Sequence, residues 1–113
     1  MTAEQIQNII DRFDNFEPFE SIDDIPDIPI VPPDIYQNHI IPNLIRCGAI
    51  PKDKLEINVE YDGVCRNSSI AKWNGTVFEY NRYKWGTRYV DTINHFEADD
   101  GHDLFVPLRK RET

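Results

Sequence analysis

The stretch that decides the fold is CRNSSIAKWNGTVFEYNRYKWG, residues 65–86. Its Asn74-Gly75 dipeptide lies between two runs rich in aromatic and β-branched residues, which is the strongest short signal for a β-hairpin. A two-residue turn there pairs Trp73 with Thr76, and alternation along both strands then gives the hairpin one apolar face. The residues predicted to face the core are Ala71, Trp73, Thr76, Phe78 and Tyr80.

The β pattern extends on both sides of this hairpin. Candidate strands, separated by Asp-Gly, Asn-Gly and Gly-Thr steps, are 59–66, 68–73, 76–83, 88–94 and 104–108. Five short strands with tight turns predict a small antiparallel sheet, or an SH3-like or OB-like barrel, over residues 58–113.

The first half of the chain follows another pattern. Thr2 and Gln5 fit a capping box, and apolar residues at helical spacing follow them: Ile6, Ile9, Ile10 and Phe13. Several prolines between positions 18 and 33 then forbid regular helix or central strand. The isoleucines at 22, 25, 28 and 30 favour an extended arm that lies against the body of the domain, and the alternative is a linear motif that docks on a partner.

Two short helices are predicted between the arm and the β body. Pro33 suits a first helical turn, Pro42 is expected to interrupt that helix and begin the next, and Cys47-Gly48 suits its end. The predicted fold class is therefore α+β. An acidic, helical and proline-rich segment, 1–57, packs on the β core, 58–113, in one compact domain.

The negative charge is concentrated at the front of the chain. The net charge is −8, and residues 1–36 contain nine acidic side chains and one basic one. This asymmetry is typical of an acidic interaction face. The simpler interpretation is a solvated surface that keeps the protein soluble. We identify Asp23, Asp24 and Asp27 on the arm as candidate partner-binding residues. The acidity argues against non-specific nucleic-acid binding.

The expected location is cytoplasmic. The start of the chain lacks the basic and apolar regions of a signal peptide, and no run approaches the ~20 apolar residues of a membrane span. Cys47 and Cys65 are then expected to be reduced, structural thiols. No P-loop, dinucleotide fingerprint or serine nucleophile elbow is present, so we predict no cofactor and find no positive sign of an enzyme.

Aromatic and basic side chains alternate along the second half of the hairpin. The apolar face needs Trp73, Phe78 and Tyr80, which leaves three rings as candidates for exposure: Tyr83, Trp85 and Tyr89. With Lys84 and Arg88, they form a candidate surface for a protein partner or for single-stranded nucleic acid, whose bases stack on rings and whose phosphates meet cations. Ordinary barrel packing is the alternative.

A second cluster lies in NHFEADDGHD, residues 94–103. Its carboxylates and imidazoles are possible metal ligands: His95, Glu97, Asp99, Asp100, His102 and Asp103. The spacing completes neither an EF-hand nor an H-E-x-x-H motif, so a solvated acidic loop is the simpler interpretation and we predict no metal.

Three segments resemble small proteins encoded by bacteriophages and prophages. They are IPNLIRCGAIPKDKL, CRNSSIAKWNGTVFEYNRYKWG and INHFEADDGHDLFVP. The resemblance implies a phage protein that acts in the cytoplasm of a bacterial host and carries over no catalytic residue. Small acidic phage proteins are similar in kind to inhibitors of host defence enzymes.

The leading hypothesis is a non-catalytic interaction protein, an inhibitor whose acidic arm engages a basic, nucleic-acid-handling host protein. One alternative is a small nucleic-acid-binding barrel with the arm as its cover. Another is a metal-dependent hydrolase centred on residues 95–103.

Overall fold

The computed structural model describes residues 2–28, 30–65, 68–98 and 104–111. Five strands form a closed barrel, and the N-terminal helices and arm pack on its outside. The helices are α1 (Ala3–Asp14), α2 (Pro33–Ile35) and α3 (Ile41–Arg46), and a π-helical turn, Tyr36–Ile40, joins the last two. The strands are β1 (Glu60–Val64), β2 (Ile70–Trp73), β3 (Phe78–Lys84), β4 (Thr87–His95) and β5 (Leu104–Lys110).

The strands follow one another around the barrel in sequence order. Each pairs with the next, and β5 returns to pair with β1. The pairing of β4 with β5 is parallel, whereas the sequence predicts an antiparallel core. This sequential order differs from the Greek-key order of an OB-fold. The α+β class and the small barrel are confirmed.

The first hairpin forms, but in another register from the predicted one. Trp73 pairs with Phe78, so the loop between β2 and β3 spans residues 74–77 instead of two residues. The reason is the Asn74 side chain, whose Oδ1 accepts hydrogen bonds from the amides of Thr76 (2.8 Å) and Val77 (2.9 Å) and so closes a wider turn. Since the register shifts by an even number of residues, the predicted apolar face is kept, except that Thr76 is exposed.

The helix that begins at Pro33 runs through Pro42 without a break. The predicted interruption is wrong because the chain widens into a π-helical turn just before this proline, and the Ile41 amide bonds the Tyr36 carbonyl. The Asn43 side-chain amide donates to the His39 carbonyl at 2.8 Å. None of the helices in the described residues is long and apolar enough to cross a bilayer.

The proline-rich arm lies against the body, as the isoleucine pattern predicts. Ile25 is buried, and Ile22 and Ile28 pack beside it against the cluster formed by the helices and one side of β5. Ile30 points to solvent. Three of the arm's four isoleucines therefore serve the fold of the chain itself.

Two apolar clusters meet at β5. Phe105 points into the barrel, where it contacts Phe78, with ring centroids 4.6 Å apart. The next residue, Val106, points outward into the cluster that contains Phe13 of α1 and Leu44 of α3. Because successive side chains of a strand face opposite sides, this one strand joins the helical layer to the barrel.

Candidate functional site

The β3–β4 hairpin projects beyond the barrel. β3 pairs with β2 only through Phe78 and Glu79, and β4 pairs with β5 only through Asn94 and His95. The pairing of β3 with β4 nevertheless continues to Lys84 and Thr87. The outer part of the hairpin is therefore a two-stranded ribbon with no further strand beside it among the described residues.

The turn at the end of this ribbon is strained. Trp85 has φ 54° and Gly86 has φ 76°, so the two central residues have the left-handed backbone of a type I′ turn. Such turns favour Asn-Gly, and a bulky residue in this conformation costs about 1–2 kcal/mol. Trp85 recovers nothing by packing, since 93% of its surface is exposed. A strained and exposed tryptophan makes Trp85 a candidate binding residue.

The exposed side chains around the turn form a surface that we call the hairpin tip: Tyr83, Lys84, Trp85 and Arg88. Tyr83 is opposite Arg88 in the ladder, so both lie on the outer face of the ribbon, and Tyr83 is 73% exposed. Lys84 and Arg88 form no ion pair with any described residue. The structure thus brings together four of the five residues that the sequence singled out in this region, and the fifth, Tyr89, lies on the opposite face of the ribbon.

The opposite face of the ribbon carries a polar cluster that sequence reasoning missed. Arg82 donates to Asp91 at 3.1 Å, and the Tyr80 hydroxyl lies 3.3 Å from the same carboxylate. The hydrogen bond from Arg82 lowers the pKa of Asp91, and Asp91 raises the pKa of Arg82. Arg82 also lies over Tyr89, which is half-buried rather than exposed. The signal in the sequence that could have identified this cluster is the opposite charge of Arg82 and Asp91.

The three arm carboxylates do not share one role. Asp24 accepts hydrogen bonds from the amides of Glu20 (2.9 Å) and Ser21 (3.1 Å), so it caps the 3₁₀ turn Ile22–Asp24. Asp23 and Asp27 are exposed, and no described residue pairs with either. The turn makes its main contacts with β1, a strand that does not belong to the β3–β4 hairpin. The predicted partner-binding residues therefore fall into two separate groups.

An open groove of about 610 Å³ lies where β2 and β3 diverge. Its lining mixes both signs of charge with a few apolar groups: Glu60, Ile70, Lys72, Glu79, Asn81, Arg88, Val90 and Arg111 are among its residues. No group of three His, Cys, Asp or Glu side chains within the described residues could hold a metal ion.

His95 is a buried part of the core. Its Nε2 lies 2.8 Å from the Ile50 carbonyl, and its Nδ1 accepts from the Glu97 amide at 3.2 Å. Both ring nitrogens are therefore engaged, which removes His95 from the candidate metal ligands. Glu97 accepts a hydrogen bond from the Lys52 amide at 2.8 Å. The other candidates, Asp99, Asp100, His102 and Asp103, lie outside the described residues.

Lowering the pH below 6.5 is expected to destabilise the protein through His95. Burial lowers the pKa of this imidazole, while the Ile50 carbonyl and Glu97 raise it by less. The unfolded chain therefore takes up a proton before the folded one, so stability is full above 6.5 and falls by up to about 1.4 kcal/mol for each pH unit below it. Urea unfolding across this range checks the slope. His95→Gln is expected to flatten it, and an unchanged slope in this variant would assign the effect to other groups.

The two cysteines are free thiols. Cys47 is buried at the end of α3, as predicted, and its Sγ lies 3.4 Å from the Phe16 carbonyl. Cys65 follows β1 rather than lying within a strand, and its Sγ lies 3.2 Å from the Ser68 carbonyl. The Cys47 contact joins two segments that are 31 residues apart in the chain, and the Cys65 contact is local.

Comparison of the chain with known protein families, with curated proteins and with solved structures gives no match. The geometry of the hairpin tip and of the arm is therefore the basis for a functional proposal.

Proposed function

We propose that this chain is a non-catalytic interaction protein that binds a basic, nucleic-acid-handling protein of a bacterial host, as a phage-encoded inhibitor would. The observation that carries the proposal is Trp85, which is held in a strained backbone and left almost wholly exposed. Tryptophan, tyrosine and arginine are the residues that dominate binding energy at protein interfaces, and the hairpin tip presents one of each.

The acidic arm is the reason for proposing that the partner is basic. Asp23 and Asp27 form no ion pair with any described residue, and they lie on a segment that is fixed to the core by Ile25. Unpaired carboxylates of one sign speed the encounter with a basic protein and contribute less to the final affinity. In this account the arm accelerates association, and the hairpin tip holds the complex together.

Affinity capture from a bacterial lysate tests the proposal with the full chain and matched variants. Trp85→Asn removes the ring and supplies the residue that the turn favours, so binding is expected to be lost while stability rises by about 1 kcal/mol. Ile57→Ser is the control, because Ile57 is an exposed isoleucine in the loop before β1.

The expected result is one basic protein retained by the unaltered chain and by Ile57→Ser, and lost with Trp85→Asn. Asp23→Asn combined with Asp27→Asn is expected to slow its association by about tenfold at low salt and to leave dissociation unchanged. Equal retention of that protein by Trp85→Asn would refute the role of the hairpin tip.

Single-stranded nucleic acid is the second candidate, because the hairpin tip combines exposed rings with cations that pair with no described carboxylate. The arm packs on the helical cluster and leaves the tip open, so the intact chain is the right material for the test. Fluorescence anisotropy with single-stranded oligonucleotides should show binding that weakens with salt if this candidate is correct. Absence of binding at low salt would remove it.

A further inference from the structure

The outer edge of β4 is open along most of the strand. Residues 87–93 of β4 have β3 on one side and no strand on the other among the described residues. The two-residue turn makes Lys84 and Thr87 a hydrogen-bonded pair, so Arg88, Val90 and Thr92 direct their main-chain groups to the open edge. Open edges are templates for pairing with another strand.

This edge carries only part of the usual protection against pairing. Protected edges carry prolines, bulges or charged side chains, lysine above all. Residues 87–93 contain no proline or lysine, and the charge of Asp91 is paired with Arg82. Val90, at the middle of the open segment, is 61% exposed. The main-chain amide of Thr92 donates to the Asp91 carboxylate at 2.8 Å. For Arg88 and Val90, no side chain within the described part of the chain fills this role on the open edge.

We infer that this edge pairs with the same edge of a second copy, in an antiparallel dimer centred on Val90. The open segment is self-complementary about that residue. Val90 meets the Val90 of the other copy, Arg88 meets Thr92, and Tyr89 meets Asp91, so no like charges oppose each other. A two-fold axis at Val90 uses the same patch on both copies, as closed dimers do.

The dimer forms one sheet of two hairpins. Val90 pairs with its copy, and each Arg88 amide donates to a Thr92 carbonyl, which gives about four main-chain hydrogen bonds. Trp85 lies outside the paired segment, and the two tryptophans are separated by roughly 30 Å because a strand rises about 3.3 Å per residue. The dimer thus presents two hairpin tips that point in opposite directions. This inference goes beyond the proposed function and does not depend on it.

The dimer is weak and is strengthened by salt. Pairing along one short edge buries less than about 1,000 Å², which is the size of weak and transient contacts, so the dimer is expected only at high protein concentration. Each copy carries a net charge of −8, so the copies repel at low ionic strength. Added salt screens this repulsion, whereas it would weaken an association made of ion pairs.

Sedimentation velocity of the full chain at concentrations of about 5 to 500 µM tests the inference. The mass is expected to rise from 13.3 kDa toward twice that value, and to do so at lower concentration when salt is added. Val90→Lys places two cations face to face and should leave a monomer, while Val90→Thr keeps a β-branched residue and should keep the dimer. A monomer at every concentration would overturn the inference, and so would a dimer that Val90→Lys leaves intact.

Exchanging charges across the two-fold axis of the dimer distinguishes a loss of strand pairing from a loss of the fold. Thr92→Lys faces Glu79 within its own chain but Arg88 of the second copy, so it should weaken the dimer by about tenfold without loss of stability. Adding Arg88→Glu to Thr92→Lys should restore the dimer, because the new lysine of one copy then faces the new carboxylate of the other. Failure of the double variant to restore it would contradict the register. Loss of the dimer with partner capture intact would leave the proposed function standing.

Discussion

Gly63→Ala is expected to destabilise the fold by at least about 4 kcal/mol, because it introduces a methyl group where the barrel closes. A Cβ at this position would lie 2.2 Å from the Val106 carbonyl oxygen and 2.8 Å from the Pro107 Cα. These are backbone atoms of β5 beside the bulge in β1, so they cannot rotate away. Chemical denaturation monitored by tryptophan fluorescence measures the loss, since Trp73 lies in the core.

Gly86→Ala is the matched control for this effect. A Cβ there meets nothing within 4 Å, and its cost comes only from the φ of 76°. That cost is about 1–2 kcal/mol. Similar losses at the two glycines would mean that β1 and β5 are not in the close contact that completes the barrel.

Phe13→Ala is expected to lower the free energy of unfolding by about 3–5 kcal/mol. Phe13 is completely buried between the helices and β5, although it lies near the start of the chain. Since a domain of this size has about 5–15 kcal/mol of stability in total, the loss should be visible in thermal unfolding.

Ile30→Ala provides the contrast within the same N-terminal segment. Ile30 is 72% exposed, so this variant should change stability by less than about 0.5 kcal/mol. If Phe13→Ala were equally harmless, α1 would not belong to the core. Deletion of residues 1–30 would remove Phe13 and its contribution to stability. The role of the arm is therefore better tested by Asp23→Asn and Asp27→Asn.

Features set by neighbouring residues could be predicted from the sequence. The capping box of α1 forms as expected, with the Gln5 amide donating to Thr2 Oγ1 at 3.1 Å. The alternation of β2 and β3 correctly separates buried Trp73 from exposed Lys72. The exposure of Tyr83 and Trp85 also follows from the sequence, since the core has room for only some of the rings.

Features set by competing interactions could not be predicted. Asn-Gly indicated a two-residue turn at 74–75, but the Asn74 side chain stabilises a longer loop there. The strained two-residue turn lies instead at Trp85-Gly86, where the sequence carries no preferred turn pair. The passage through Pro42 depends on a widened helical turn, for which residue preferences give no signal.

The roles of individual charges also needed the structure. Asp23, Asp24 and Asp27 are equivalent in the sequence, yet only Asp24 caps a turn. His95 stands among acidic residues in the sequence but is buried with both nitrogens engaged. Burial and backbone partners are properties of the tertiary fold, so composition alone could not separate these residues.

The central claim is that the hairpin tip binds a partner and adds nothing to the fold. The measurement that tests it most directly is the affinity of Trp85→Asn for the protein captured by the unaltered chain, made alongside its unfolding curve. We expect affinity to fall by at least about thirtyfold while stability rises. Unchanged affinity, or a loss of stability that accompanies the loss of binding, would contradict the account.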